Sequence, residues 1–71
     1  MREIFYKALQ NHAISMICVH NHPSGSSAPS LEDKKFTKDL VAVSKTLEIK
    51  VLDHIIIGNN VFYSFADEGL I

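Results

Sequence analysis

Apolar residues recur along this chain at two spacings, helical and extended, and together they predict five elements. Between residues 2 and 11, Ile4, Phe5, Ala8 and Leu9 make one stripe of a helix. Ala13 to Val19 (AISMICV) is a short apolar run rich in β-branched residues and bounded downstream by Pro, Gly and Ser, which predicts a buried strand. Pro23 to Pro29 cannot extend that strand and is read as a loop. Phe36, Leu40, Val43 and Leu47 then step by four, three and four, so a second helix is expected over residues 30 to 48. Lys50 to Ile57 reads as a strand, Gly58-Asn59-Asn60 as a hairpin turn and Val61 to Phe65 as a last strand. The order α-β-α-β-β predicts a single small layered α/β domain over residues 1–71, with a sheet of three strands.

Composition narrows the class. A chain of 71 residues hides only about 60% of its unfolded surface, enough for one small core. Cys18 is the sole cysteine, so no disulfide framework supports that core. Net charge is −1 without a run of lysines or arginines, which gives nucleic-acid contact no support. No apolar stretch has the length of a membrane span, and the N-terminus lacks the apolar core of a signal peptide. These features predict a soluble cytoplasmic domain.

Candidate chemistry is concentrated between His20 and Asp33, where the sequence reads HNHPSGSSAPSLED, or H-x-H-x7-S-x2-D. Two neutral imidazoles and a carboxylate form a set that holds a catalytic zinc while leaving a fourth position open. His20 and His22 lie two apart at a strand end and so share a face. Ser30 stands at the expected N-cap of the second helix and Asp33 in its first turn. A strand end, a loop and a helix start can thus bring His20, His22 and Asp33 around one ion. Ser30 and Asp33 also read as a capping box, with an acid suited to the helix dipole whatever the function.

Other polar residues carry weaker signals. Cys18, two before His20, shares its strand face and could be an extra ligand, but a free cysteine in an apolar strand reads as a small buried hydrophobe. Asp53 and His54 are adjacent on a strand and face opposite sides, so they cannot both point at a metal. A hydrogen bond from one of them to a ligand histidine and a purely structural contact both fit the sequence. His12 reads as a cap at the end of the first helix.

HNHPSG followed by PSxxD, an amphipathic helix and VLDHIIIG resembles the RadC-like branch of the JAMM (MPN/JAB-type) metalloprotease superfamily. The similarity runs from Arg2 nearly to Ile71, through REIFYKALQNHA at one end and Ser64…Glu68-Gly69-Leu70 at the other. It implies a partial cytidine-deaminase-like fold lacking its first strands. It also implies one zinc per chain on His20, His22 and Asp33, and a Ser30 hydroxyl that helps stabilise a tetrahedral intermediate. The implied reaction is hydrolysis of a peptide or isopeptide bond by zinc-activated water.

The family's proton-accepting glutamate lies on a strand upstream of the helix matching residues 2 to 11. The resemblance therefore implies a chain without that residue, weak or inactive alone. Glu3 and Glu32 are read as solvated first-turn acids, with Glu32 about 100° around the helix from Asp33, and Glu48 and Glu68 as residues of a helix end and a terminal turn. The absent strands would leave an unpaired edge and an uncovered apolar face, so a homodimer is expected. The contiguous H-N-H letters do not make an HNH nuclease, whose residues are dispersed over a ββα unit, and the DNA-repair role attached to the RadC name has no support in the charge. The rival reading is a non-catalytic remnant, zinc-stabilised or metal-free, that serves as a protein-interaction module.

Overall fold

The computed structural model describes residues 1–71. The first helix, α1 (Arg2–Gln10), buries Phe5 and half-buries Ile4 and Ala8, while Leu9 stays exposed. It ends where the Asn11 side-chain amide donates to the Lys7 carbonyl at 2.8 Å. His12 turns the chain through its backbone, at φ 55°, with its N–H on the Leu9 carbonyl.

Strand β1 (Ser15–Asn21) starts two residues later than the apolar run and continues through His20. The second helix, α2 (Leu31–Leu47), carries the chain across to β2 (Lys50–Ile57), and β3 (Phe62–Ser64) follows as a short return strand. The strands lie in the order β1-β2-β3. β1 and β2 are parallel, which a tight turn cannot join and a helical crossover can, and β3 pairs antiparallel with β2. None of the helices is long and apolar enough to cross a membrane.

Helix α2 is rotated from the orientation its apolar stripe predicts. Leu40 is fully buried, but so are Thr37 and Ser44, whereas Val43 is 39% exposed. The two hydroxyls tolerate burial because each donates within its own helix: Thr37 to the Asp33 carbonyl at 2.9 Å and Ser44 to the Val41 carbonyl at 2.8 Å. Phe5, Leu40, Ile49 and Val51 form the centre of the core, with Met16, Cys18 and Phe36 packed around them.

The helices thus lie on one side of the sheet. On the other side Ile17, Val19, Ile57 and Phe62 remain 54%, 56%, 44% and 66% exposed, an apolar face that nothing in this chain covers.

One irregularity in the sheet positions a key side chain. Met16 pairs with Val51, but Ile17 pairs with Asp53, so Leu52 is an extra residue in β2. A bulge of this kind shifts the alternation of side chains by one. Val51, His54 and Ile56 therefore all face the helices, buried to 5%, 1% and 0% exposure. Unbroken alternation would put Val51 and His54 on opposite faces. Asp53 turns the other way, accepting from the Ser64 hydroxyl at 2.5 Å, the Ala66 N–H at 3.0 Å and the His54 N–H at 2.7 Å.

Candidate metal centre

His20 lies on the helix-facing side of β1, opposite Ile56 of β2. His22 follows directly after the strand, and its N–H donates to the Ile57 carbonyl at 3.0 Å, extending the ladder one step. That step keeps His22 in phase with His20. Asp33 arrives from the other side, in the first turn of α2, held by a reciprocal cap. The Ser30 hydroxyl accepts the Asp33 N–H at 3.0 Å, and the Ser30 N–H donates to Asp33 Oδ2 at 2.8 Å. Cap and candidate ligand are thus the same carboxylate.

The three side chains converge. His20 Nε2 lies 3.2 Å from His22 Nε2 and 3.3 Å from Asp33 Oδ1, and His22 Nε2 lies 3.0 Å from Asp33 Oδ2. They are the group of this chain that could hold a metal ion. Ligands bound to zinc at about 2.0–2.1 Å in a tetrahedral arrangement stand about 3.3 Å apart, so the donor set and its spacing both fit. The ring of His22 has a fixed orientation: its Nδ1 lies 3.0 Å from the Ser26 carbonyl, which can only accept. Nδ1 therefore carries a hydrogen, and in the neutral form of the ring Nε2 would face the carboxylate as a second acceptor. Two acceptors facing each other at 3.0 Å require a cation or a proton between them. Burial opposes the charge of Asp33, but hydrogen bonding with Ser30 and the adjoining histidines outweigh it and hold the carboxyl below its ordinary range.

Ser26 is placed by a close backbone crossing. The loop between β1 and α2 docks on the β2–β3 turn through Asn59 N–H to the Gly25 carbonyl at 2.8 Å. Gly58 makes this approach possible: a Cβ there would meet the Gly25 carbonyl oxygen at 2.3 Å. Gly25 itself sits at φ 85°, a left-handed conformation that favours glycine.

Of the Asp53-His54 pair, His54 is the one that reaches the site. Its Nε2 lies 2.9 Å from His20 Nδ1, and its Nδ1 lies 2.5 Å from Thr37 Oγ1. Burial, and then the neighbouring His20, push its pKa below the ordinary histidine value against the opposing pull of Asp33 and Asp53. Thr37 and Phe65, which stacks on the His54 ring at 4.7 Å, were not singled out by the sequence. For Thr37 a signal existed, a hydroxyl one helical turn after Asp33 on the face of Phe36 and Leu40.

Cys18 shares this face but stands apart from the metal group; its thiol is half-buried, and burial raises its pKa. Glu3, Glu48 and Glu68 are exposed and lie outside that group. Glu32 is also exposed, yet it borders an open groove of about 880 Å³ whose walls include Ile4, Ile17, Val19, Phe36 and, at the site, His20 and Asp33.

Fold and site together define an α/β domain built around a candidate metal centre of two histidines and one aspartate. The chain belongs to the RadC-like JAB domain family, whose model matches residues 1–70. It is 51% identical over 69 residues to a UPF0758 protein of Alkaliphilus metalliredigens and 52% identical over 68 residues to UPF0758 proteins of Bacillus mycoides and Bacillus anthracis. Those matches cover 97% and 96% of this chain but 30% of each relative, so the chain spans under a third of their length.

Proposed function

We propose that this domain binds one zinc ion through His20 Nε2, His22 Nε2 and Asp33 and serves the hydrolysis of a peptide or isopeptide bond. The convergence of three acceptor atoms from three separate segments, 3.0 to 3.3 Å apart, carries the reading. Zinc bound there would supply Lewis acidity and lower the pKa of a water in its open position. Other residues of the chain would support the centre. Ser26 and His54 orient the two imidazoles, and the Ser30 N–H holds the carboxylate of Asp33 in place. The Ser30 hydroxyl accepts in the helix cap, and its O–H remains able to donate to a developing oxyanion. His20, with 38% of its side chain exposed, leaves the centre open to a substrate.

No glutamate of this chain stands among the three grouped side chains, and a positioned base typically adds about 10²–10⁴-fold, so slow turnover is expected of the chain alone. A zinc titration tests the site. About one equivalent is expected from this ligand set, with His20→Ala, His22→Ala and Asp33→Ala each losing most of it. Unchanged binding in all three variants would end the assignment.

A second reading, an interaction module, is favoured by the apolar sheet face and the unpaired outer edge of β1. The proposed occupant is a second copy of this chain, because two identical β1 edges meeting about a twofold axis pair with each other and leave neither β1 edge open.

A further inference from the structure

We infer that Thr37 and His54 together dictate which nitrogen of His20 carries the hydrogen in its neutral form, leaving Nε2 as the nitrogen free to take an ion. His54 is on this view a positioning residue, and the inference rests on the metal-binding reading of His20, His22 and Asp33.

The Asp33 carbonyl can only accept, so its 2.9 Å contact with Thr37 Oγ1 takes the hydroxyl hydrogen. Thr37 Oγ1 then meets His54 Nδ1, at 2.5 Å, as an acceptor, and Nδ1 must carry the His54 hydrogen. A neutral imidazole has one N–H, which leaves His54 Nε2 bare. The partner of that bare nitrogen, His20 Nδ1 at 2.9 Å, is therefore a donor. With its hydrogen on Nδ1, the neutral His20 ring has its lone pair on Nε2, the nitrogen 3.3 Å from Asp33 Oδ1. This is the arrangement that satisfies all three contacts of the chain. Its reversal would leave the Thr37 hydroxyl and the Asp33 carbonyl as two lone pairs facing each other.

The chain of contacts closes on itself. It begins at the backbone carbonyl of Asp33 and ends 3.3 Å from the carboxylate of the same residue, so two of the three ligands are coupled through His54 and Thr37. The His54 ring cannot turn to escape its role. It is 1% exposed, stacked within 7° of parallel on Phe65 and met edge-on by Phe36 at 5.7 Å. His22 lies in a loop and finds a backbone carbonyl for its Nδ1, that of Ser26. For His20, inside β1, a buried side chain takes that place.

Thr37→Val keeps the shape of residue 37 and removes its hydroxyl. The His54 hydrogen then has no acceptor at Nδ1 and moves to Nε2, where it faces His20 as a donor and drives the His20 hydrogen onto the metal-facing nitrogen. Zinc affinity is expected to fall roughly tenfold to a hundredfold, the usual scale for a group behind a ligand histidine, although Thr37 touches no metal. Thr37→Ser restores the hydroxyl and wild-type affinity. His54→Phe keeps the stack on Phe65, removes the acceptor and weakens binding as Thr37→Val does.

Two measurements decide the matter. Long-range ¹H–¹⁵N correlation spectra of the metal-free wild-type protein at mildly alkaline pH should show the hydrogen on Nδ1 in both His54 and His20. Zinc competition against a chromophoric chelator should separate Thr37→Val from wild type and Thr37→Ser. A His54 hydrogen on Nε2, or wild-type affinity in a folded Thr37→Val protein, overturns the inference. If Thr37→Val does not fold, the wild-type spectrum decides alone. A wild-type protein that binds no zinc but shows both Nδ1 hydrogens refutes the metal reading and leaves the hydrogen-bond relay standing.

Discussion

His20 Nδ1 and His54 Nε2 lie 2.9 Å apart although 34 residues separate them in the chain. Parallel pairing of β1 with β2 brings the two strands side by side, and the extra residue Leu52 turns His54 to the side of the sheet that His20 occupies. A sheet irregularity thus decides what stands behind a candidate metal ligand.

Hydrolysis by this chain is expected to be slow even with zinc supplied. A positioned base contributes about 10²–10⁴-fold, roughly 3 to 5 kcal/mol of barrier, and no glutamate joins the His20, His22 and Asp33 group. A peptide or isopeptide cleavage assay should show weak turnover that Glu3→Gln leaves unchanged. Efficient turnover abolished by Glu32→Gln would contradict this and assign the base to the glutamate that borders the groove.

Gly58→Ala should damage the candidate metal centre without touching it. The new Cβ would meet the Gly25 carbonyl oxygen at 2.3 Å and the Ser26 carbonyl carbon at 3.0 Å. The loop must shift, and with it the carbonyl that orients His22. Urea denaturation is expected to show a loss of about 1–3 kcal/mol, accompanied by weaker zinc binding. Gly69→Ala is the control: it is strained at φ 74° with no atom nearby, so it should cost about 1 kcal/mol and leave zinc affinity unchanged.

Asp53 links stability to acid pH. Burial raises its pKa, but the bonds from Ser64, Ala66 N–H and His54 N–H outweigh this and leave it below its ordinary value of 3.8. Because the folded pKa is the lower one, the stabilisation is complete above the unfolded value and disappears as pH falls through the folded value. Asp53→Asn should cost about 2 kcal/mol at neutral pH, since the charge-assisted bonds are lost and the Ser64 hydroxyl loses its carboxylate acceptor. Denaturation curves at descending pH should show the gap between wild type and variant narrowing only below about pH 4. A gap that stays constant into strong acid would show that the Asp53 charge contributes nothing.

Self-association is expected through β1. Its outer edge is unpaired, and Ile17 and Val19 stand more than half exposed beside it. Light scattering at micromolar concentration should report a dimer, and Ile17→Lys, which charges the edge, should return a monomer. A stable wild-type monomer would rule out the contact.

Much of this protein is written in its local sequence. Apolar periodicity locates both helices and the two longer strands to within about two residues at each end, the usual uncertainty of such boundaries. The spacing of His20, His22 and Asp33 locates the candidate centre, because residues two apart on an extended chain share a face and a first-turn residue stands beside its cap. These relations depend on covalent geometry inside one segment. Three others depend on contacts between distant segments, and only the tertiary structure decided them. The rotation of α2 that buries Thr37 and exposes Val43 is set by what the helix packs against. The docking of the loop between β1 and α2 needs the backbones of Gly25 and Gly58 to cross. The face on which His54 points follows from the register between β1 and β2, since a single extra residue reverses the alternation of every side chain after it.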